Sequence, residues 1–192
     1  VVEDDGRTWI MTLREGLKFH DNEPVRARDV VASVRRWGVR DQFGIAAMAV
    51  TDEITATSDR VVRWRLKRPF PLLPDALGKI GANAAFIMPE RLANSDPALP
   101  ISEMVGSGPF RFVASERVPG SRAVYAKFDG YVPRASGTTS LLAGPKIVNF
   151  DRAEWHIIND PSTASAALQS GEIDVLEQAN ADLYPLLQRN RN

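Results

Sequence analysis

Between residues 8 and 14 the chain alternates, with Trp9, Met11 and Leu13 on one face and Thr8, Ile10, Thr12 and Arg14 on the other. A period of two predicts a half-buried strand, and Asp5-Gly6 before it reads as a turn. A second turn at Glu15-Gly16 leads into Leu17-Lys18-Phe19-His20, a short second strand. Asp21-Asn22-Glu23-Pro24 then turns again, with Asn22 suited to the left-handed conformation of tight turns. From Ala27 the period lengthens: Val30, Val31, Val34 and Trp37 recur at helical spacing, which leaves Arg28, Asp29, Arg35 and Arg36 for water. Arg26 offers no side-chain acceptor to the free amides of the first turn, so this helix is expected to form on its buried face.

The run from Gly38 to Gly44 breaks the helical period, and 45–50 is a short apolar segment compatible with a packed helix. Ile54 and Ala56, then Val62, Trp64 and Leu66, alternate on either side of Ser58-Asp59-Arg60 and predict a hairpin. Leu72, Leu73, Ala76 and Leu77 line one side of a short helix beginning near Pro71. Phe86-Ile87-Met88 reads as a buried run ended by Pro89, with a turn of helix over 90–93 and a loop over 94–100. A domain boundary is expected at that loop, separating a small α+β subdomain, 1–100, from an α/β portion, 101–192. In the second part Phe110 and Phe112, the Pro119-Gly120 turn and Val124-Tyr125 suggest another hairpin. A long surface loop over 129–145 follows, then strand-like pieces at Ile147, Val148 and Phe150 and at 155–158. Asp160 and Pro161 open a helix with Ala164, Ala167 and Leu168 on its apolar stripe, and Ser170-Gly171 stops it. With a strand at Ile173-Asp174-Val175-Leu176, the order strand, helix, strand favours a right-handed parallel crossover.

Composition narrows the class more than it identifies a function. In 192 residues, 44% are apolar and 25% charged, with 24 basic and 24 acidic side chains, an ordinary globular balance that draws the chain neither to nucleic acid nor to an anionic membrane. No run approaches the roughly 18 apolar residues of a membrane-spanning helix. The absence of cysteine removes disulfides, thiolate catalysis and cysteine-ligated metals. Val1-Val2-Glu3-Asp4-Asp5 has neither an initiator Met nor a signal segment, and the amphipathic stretch begun by Leu183, Leu186 and Leu187 stops at Asn190-Arg191-Asn192; both ends suggest an excised piece.

The run DGRTWIMTLREGLKFHDNEPVRARDVVASVRRW resembles the signature of the family 5 solute-binding proteins, the dipeptide- and oligopeptide-binding receptors of ABC importers. GSGPF at 106–110 is similar to that family's Gly-Thr-Gly-Pro-aromatic motif, Tyr131-Val132-Pro133-Arg134 to its Y-V-P-R segment, and Ala167-Leu168-Gln169-Ser170-Gly171-Glu172-Ile173-Asp174 to its A-L-x-S-G-E-I-D block. Four positions depart: Asn22 replaces Gly, Arg26 a hydroxyl residue, Ser107 a Thr, and Lys127-Phe128-Asp129 lacks an Asn. The resemblance implies a mixed α/β (α+β) lobe of the periplasmic-binding-protein kind with a small family-specific subdomain, its second lobe absent from this chain. It implies a monomeric extracytoplasmic or periplasmic receptor, with room for a membrane anchor in the full-length protein. Such a receptor takes a peptide or similar small solute to an ABC permease, makes no bond, and needs no cofactor, metal or nucleic acid. Ligands across such receptors include dipeptides, oligopeptides, glutathione, nickel chelates, opines and sugars.

Chemistry-bearing residues are few. The two histidines, His20 and His156, carry no metal spacing, and Gly106-Ser107-Gly108 fails as a dinucleotide loop because Arg111 stands at its third glycine position. Trp9, Trp64 and Trp155 lie in strand patterns and are expected in the core, whereas Trp37 closes a helix and is open to either packing or ligand contact. Arg40, Phe43 and Asn83 lie in joins between regular elements, where binding groups are carried on a rigid scaffold. Gly106, Ser107 and Gly108 bring bare backbone close to a solute or form a plain turn. Glu177 and Gln178 follow the last expected strand, on the side where α/β sheets bind ligands. These nine are the candidate ligand-binding residues. Two rival readings are a small hydrolase or transferase using His20, Asp21 and Glu23, and a ligand-sensing module of a regulator.

Overall fold

The computed structural model of the chain describes residues 1–81, 83–141 and 143–189. By packing it separates into two compact units: Val1–Phe112 with Tyr125–Arg152, and Val113–Val124 with Ala153 onward.

The first unit is built on a four-stranded antiparallel sheet of order β1-β2-β4-β3, formed by β1 (Val2–Glu3), β2 (Thr8–Thr12), β3 (Thr51–Ala56) and β4 (Val61–Leu66). Register follows the hydrophobic pattern: Trp64 sits opposite Trp9 on one side and Ile54 on the other. Such cross-strand apolar pairs are the unit of sheet stabilisation. Trp64 is wholly buried, and its indole N–H donates to Thr51 Oγ1 at 2.7 Å, so its polar edge is satisfied. Helix α1 (Ala27–Trp37) covers this sheet with Ala27, Val30, Val31, Val34 and Trp37.

Asp29 and Ser33, one turn apart on α1, are buried. Asp29 Oδ2 accepts from the Arg26 N–H at 2.7 Å and Oδ1 from the Glu90 N–H at 2.8 Å. Ser33 Oγ donates to the Met88 carbonyl at 3.1 Å and accepts from the Met88 N–H at 3.0 Å. Asp29 is thus no water-facing residue as its position in the helical period suggests; a carboxylate that reaches back three residues supplies the cap that Arg26 lacks. Arg36 also has protein partners, donating to the Ser95 and Leu99 carbonyls and tying down the 94–100 loop.

Helix α2 (Gln42–Val50) starts three residues before the apolar segment because Asp41 Oδ1 accepts from the Phe43 and Gly44 amides. Gly44 permits the crossing of α1 and α2, since a Cβ there would stand 2.8 Å from the Trp37 carbonyl oxygen and 2.9 Å from Gly38 Cα. Helices α3 (Leu73–Gly78) and α4 (Glu90–Ala93) follow where the sequence puts them. The expected strand at 17–20 reduces to a single antiparallel bridge, Lys18 to Pro24, with Asn22 left-handed at φ 69°. Phe86 is exposed, contrary to the buried run expected there, because 84–89 is irregular and only Ile87 of its apolar pair with Phe86 packs against the core.

The second sheet has the order β5-β6-β7, from β5 (Phe110–Phe112), β6 (Arg122–Lys127) and β7 (Arg152–His156), with β5 and β6 antiparallel and Phe112 opposite Tyr125. In the second unit, helix α5 (Pro161–Ser170) shows the caps its sequence announces. Asp160 Oδ1 accepts from the Thr163 N–H at 2.7 Å, and Gly171 ends the helix at φ 75°, a conformation that costs glycine nothing. A short helix α6 (Tyr184–Gln188) carries the Leu186 and Leu187 stripe; Asn190, Arg191 and Asn192, where that stripe was seen to stop, lie outside the described residues.

Two expected strands do not form. Residues 147–150 and 173–176 are irregular, and Ile147, Phe150 and Val175 are exposed. A strand exists only where a neighbour completes its ladder, and among the described residues neither segment finds one. The parallel crossover inferred after α5 is therefore absent there. Trp155, on β7, is 55% exposed, which corrects its assignment to the core: four of the five residues of that strand are exposed.

Candidate functional site

The nine candidate residues fall into three places. Trp37 is buried at the end of α1, and its indole N–H donates to the Asn83 carbonyl at 2.8 Å. Asn83 itself is exposed and left-handed at φ 58°. Arg40, whose amide donates to the Trp37 carbonyl at 3.0 Å, and Phe43, on the first turn of α2, are also exposed. Trp37, which closes α1, and Arg40, Phe43 and Asn83, chosen because they lie in irregular joins, thus gather around one joint between α1, α2 and the stretch that carries Lys79 and Asn83. Asp41 and Lys79, neither singled out by sequence reasoning, hold that joint through a direct ion pair. The Lys79 hydrogen bond holds the Asp41 carboxyl below the usual carboxylate range, aided by the Gly44 and Phe43 amides and opposed by burial. The missed signal was an Asp immediately before an apolar run, an N-cap pattern.

Gly106, Ser107 and Gly108 form the second place, and His20 grips them. The backbone N–H of His20 donates to the Gly106 carbonyl at 2.8 Å, and the Gly106 N–H donates to His20 Nδ1 at 3.2 Å. Nε2 stands 3.1 Å from the Gly108 carbonyl, so the proton of the neutral ring lies on Nε2. The ring packs edge-on against Phe128, centroids 5.1 Å apart. Among the described residues no protein group accepts from the Ser107 or Gly108 N–H. Pro109 and Phe110, next along the chain, line a groove of about 500 Å³ with Pro145, Ile147, Val148 and Phe150.

Glu177 and Gln178 are the third place. They are exposed in the second unit, and the strand meant to aim them is not formed.

The hydrolase reading fares poorly in geometry. Both ring nitrogens of His20 are engaged by the 106–108 backbone. Asp21 accepts from the Glu23 amide at 3.1 Å and pairs with Arg91 at 3.0 Å, while Arg91 also pairs with Glu103. Asp21 and Glu23 line a common pocket of about 260 Å³ with Arg28 and Arg91, but His20 is not among the residues lining it. Among the described residues no group of three His, Asp or Glu side chains is placed to hold a metal ion, and no helix is long and apolar enough to cross a membrane.

A strand-helix-hairpin unit, a Gly-Ser-Gly-Pro loop and a second small sheet make up a mixed α/β fold of the periplasmic-binding-protein kind. The chain belongs to the bacterial extracellular solute-binding proteins, family 5, whose middle-region model matches residues 1–192. It is 39% identical over 193 residues to a probable peptide ABC transporter periplasmic-binding protein of Sinorhizobium fredii, covering 100% of this chain and 36% of that protein. A glutathione-binding protein of Salmonella paratyphi A is 28% identical over 199 residues, covering 100% of this chain and 35% of the relative. Among solved structures, the ABC transporter-associated periplasmic binding protein DppA from Helicobacter pylori in complex with the peptide STSA matches with a TM-score of 0.77 at 22% identity, over 100% of this chain and 39% of that one. That likeness speaks for the fold. The chain spans little more than a third of the length of the relatives it matches.

Proposed function

We propose that this chain is part of the extracytoplasmic receptor of an ABC importer, which captures a peptide or similar small solute and delivers it to a membrane permease. The match of the family 5 model to residues 1–192 carries this reading, and the 39% identical relative, itself named as a probable peptide-binding protein, favours a peptide. In this proposal 1–100 is the family-specific subdomain and 101–192 belongs to the hinge-bearing lobe, with the opposing lobe supplied by the rest of a longer protein. Solute would meet the joint at Trp37, Arg40, Phe43 and Asn83, the backbone at Gly106, Ser107 and Gly108, and Glu177 and Gln178. Closure of two lobes couples these contacts to rotation, with no bond made or broken. The receptor would act as a monomer in the periplasm or outside the cytoplasmic membrane, free or anchored.

Mass spectrometry of the small molecule that the full-length protein carries through purification tests the solute class. A peptide supports the proposal; a carried opine or metal chelate in place of any peptide overturns its peptide part. Calorimetry with that same solute tests the lobe assignment. Residues 1–192 alone should bind it far more weakly than the full-length protein, because half a cleft cannot bury a ligand, and equal affinities would contradict a two-lobed site.

A further inference from the structure

His20 and the loop it grips lie 86 residues apart, and the two ring contacts make opposite demands on the imidazole. Nε2 must donate to the Gly108 carbonyl while Nδ1 must keep a lone pair for the Gly106 N–H, a pair of conditions that only the neutral Nε2–H tautomer meets. A second proton can land only on Nδ1. It would then face the Gly106 N–H, donor against donor, while the Nε2 contact survived. We infer that His20 is a positioning residue that latches the Gly106, Ser107 and Gly108 backbone when neutral and releases its Gly106 end when protonated. The consequence for solute capture rests on the proposed role of that backbone in the receptor.

The surroundings fix the direction of the response. Burial lowers the pKa of His20 from 6.5, and the Arg111 guanidinium on β5 adds to that; the Gly108 carbonyl and the neighbouring Asp21 oppose them. Asp21 is itself shared with Arg91, which also holds Glu103, and Phe128, against which the ring packs, carries no charge. The latch is therefore closed on the alkaline side of a midpoint that lies below 6.5 and opens as pH falls through it.

Selective ¹⁵N labelling of histidine and glycine in the full-length protein reads the latch without a ligand. At neutral pH His20 should show an unprotonated Nδ1 and a protonated Nε2, and the Gly106 amide should titrate with the same midpoint as Nδ1. Hydrogen exchange of the Gly106 amide, corrected for the intrinsic effect of pH, should rise about tenfold through that midpoint, the shift that one lost hydrogen bond supplies. In His20→Phe, which keeps the ring contact to Phe128, exchange should be fast at every pH. In His20→Gln, which can still offer an amide donor but does not titrate, it should be independent of pH. Amides of β2 and β4 serve as the control for folding in both variants. An Nδ1 that takes up its proton while the Gly106 amide and the loop exchange stay constant overturns the inference. Calorimetry with trialanine above and below the midpoint separates the latch from the receptor reading. Loop opening with weakened affinity supports both, whereas loop opening with unchanged affinity keeps the latch and refutes a solute-facing role for this backbone.

Discussion

Replacing Asp29 by Ala removes the acceptor of two amides at once, and the structure lets the cost be assembled. The Glu90 N–H begins α4 next in sequence to the buried Pro89, and without Oδ1 it loses its protein partner, at a cost of about 1–3 kcal/mol. The Arg26 N–H is half-exposed, so water replaces Oδ2 there and the loss is about 0.5–1 kcal/mol. A carboxylate in the first turn of α1 also favours the helix dipole, adding about 0.5 kcal/mol. The sum is about 2–4 kcal/mol, and at roughly 2–4 °C per kcal/mol for a chain of this size the melting temperature should fall by roughly 5–15 °C. Asp29→Asn keeps one carbonyl oxygen and should cost about half as much.

Denaturant unfolding followed by tryptophan fluorescence measures the stability change, and an unchanged slope would show that the denatured state is not its source. Hydrogen exchange locates it: the Glu90 and Arg26 amides should lose protection in Asp29→Ala ahead of the β4 amides. If Asp29→Ala melts within 1 °C of the parent, or if Glu90 stays protected, the carboxylate is not the cap of α1 and the anchor of α4. Asp52→Ala, which removes an exposed pairing with Arg65, is the matched control and should be nearly silent.

Gly44→Ala should destabilise by about 1–3 kcal/mol, since its methyl would meet backbone atoms of Trp37 and Gly38 that cannot step aside as a side chain does; thermal melting checks it. Trp64→Ala should cost about 3–5 kcal/mol by the same assay, because the side chain is completely buried between Trp9 and Ile54. Asp41 has its carboxyl held low by Lys79, so its stabilising effect is complete above the usual carboxylate pKa near 3.8 and is lost as pH falls through the depressed value. Acid unfolding of Lys79→Met should therefore begin at a higher pH than in the parent, and superimposable acid limbs would refute the coupling.

The sequence was most legible where a local pattern carries its own partner. Trp9, Met11 and Leu13 could be assigned to a packed face by alternation alone, and Asp160, Pro161 and Gly171 announce both ends of α5 within a dozen residues. It was least legible where an element needs a distant neighbour. Ile173 to Leu176 has the composition of a strand, yet composition cannot say whether an edge is there to pair with, and among the described residues none is. The same limit hid Asp29, whose second bond crosses 61 residues to Glu90 while its place in the helical period argued for water. Of the candidate site, the grouping of Trp37, Arg40, Phe43 and Asn83 could be anticipated only as one helix end and three separate irregular positions. Their meeting depends on a helix crossing that Gly44 permits.

The stretch that marks the family is thereby given a physical role different from the one its side chains advertise. His20 and Asp21, candidates for catalysis, and Trp37, a candidate for ligand contact, spend polar atoms on other parts of the chain: His20 on Gly106 and Gly108, Asp21 on Glu23 and Arg91, Trp37 on Asn83. The bonds of His20 and Trp37 end on segments with little regular structure of their own, whereas Asp21 ties its turn to Arg91 on α4. Loops so short of internal hydrogen bonds hold a defined shape only if a rigid neighbour supplies the missing partners. A receptor that must present irregular backbone to a solute needs such stitches, and the amphipathic helix and hairpin behind them provide the fixed ends. Changes in Val30, Val34 or Trp64 should therefore alter solute affinity only as far as they loosen the stitched loops. On the proposed receptor reading, changes at His20 should alter affinity more than stability, and comparing affinity with melting temperature across the two sets separates scaffold from site.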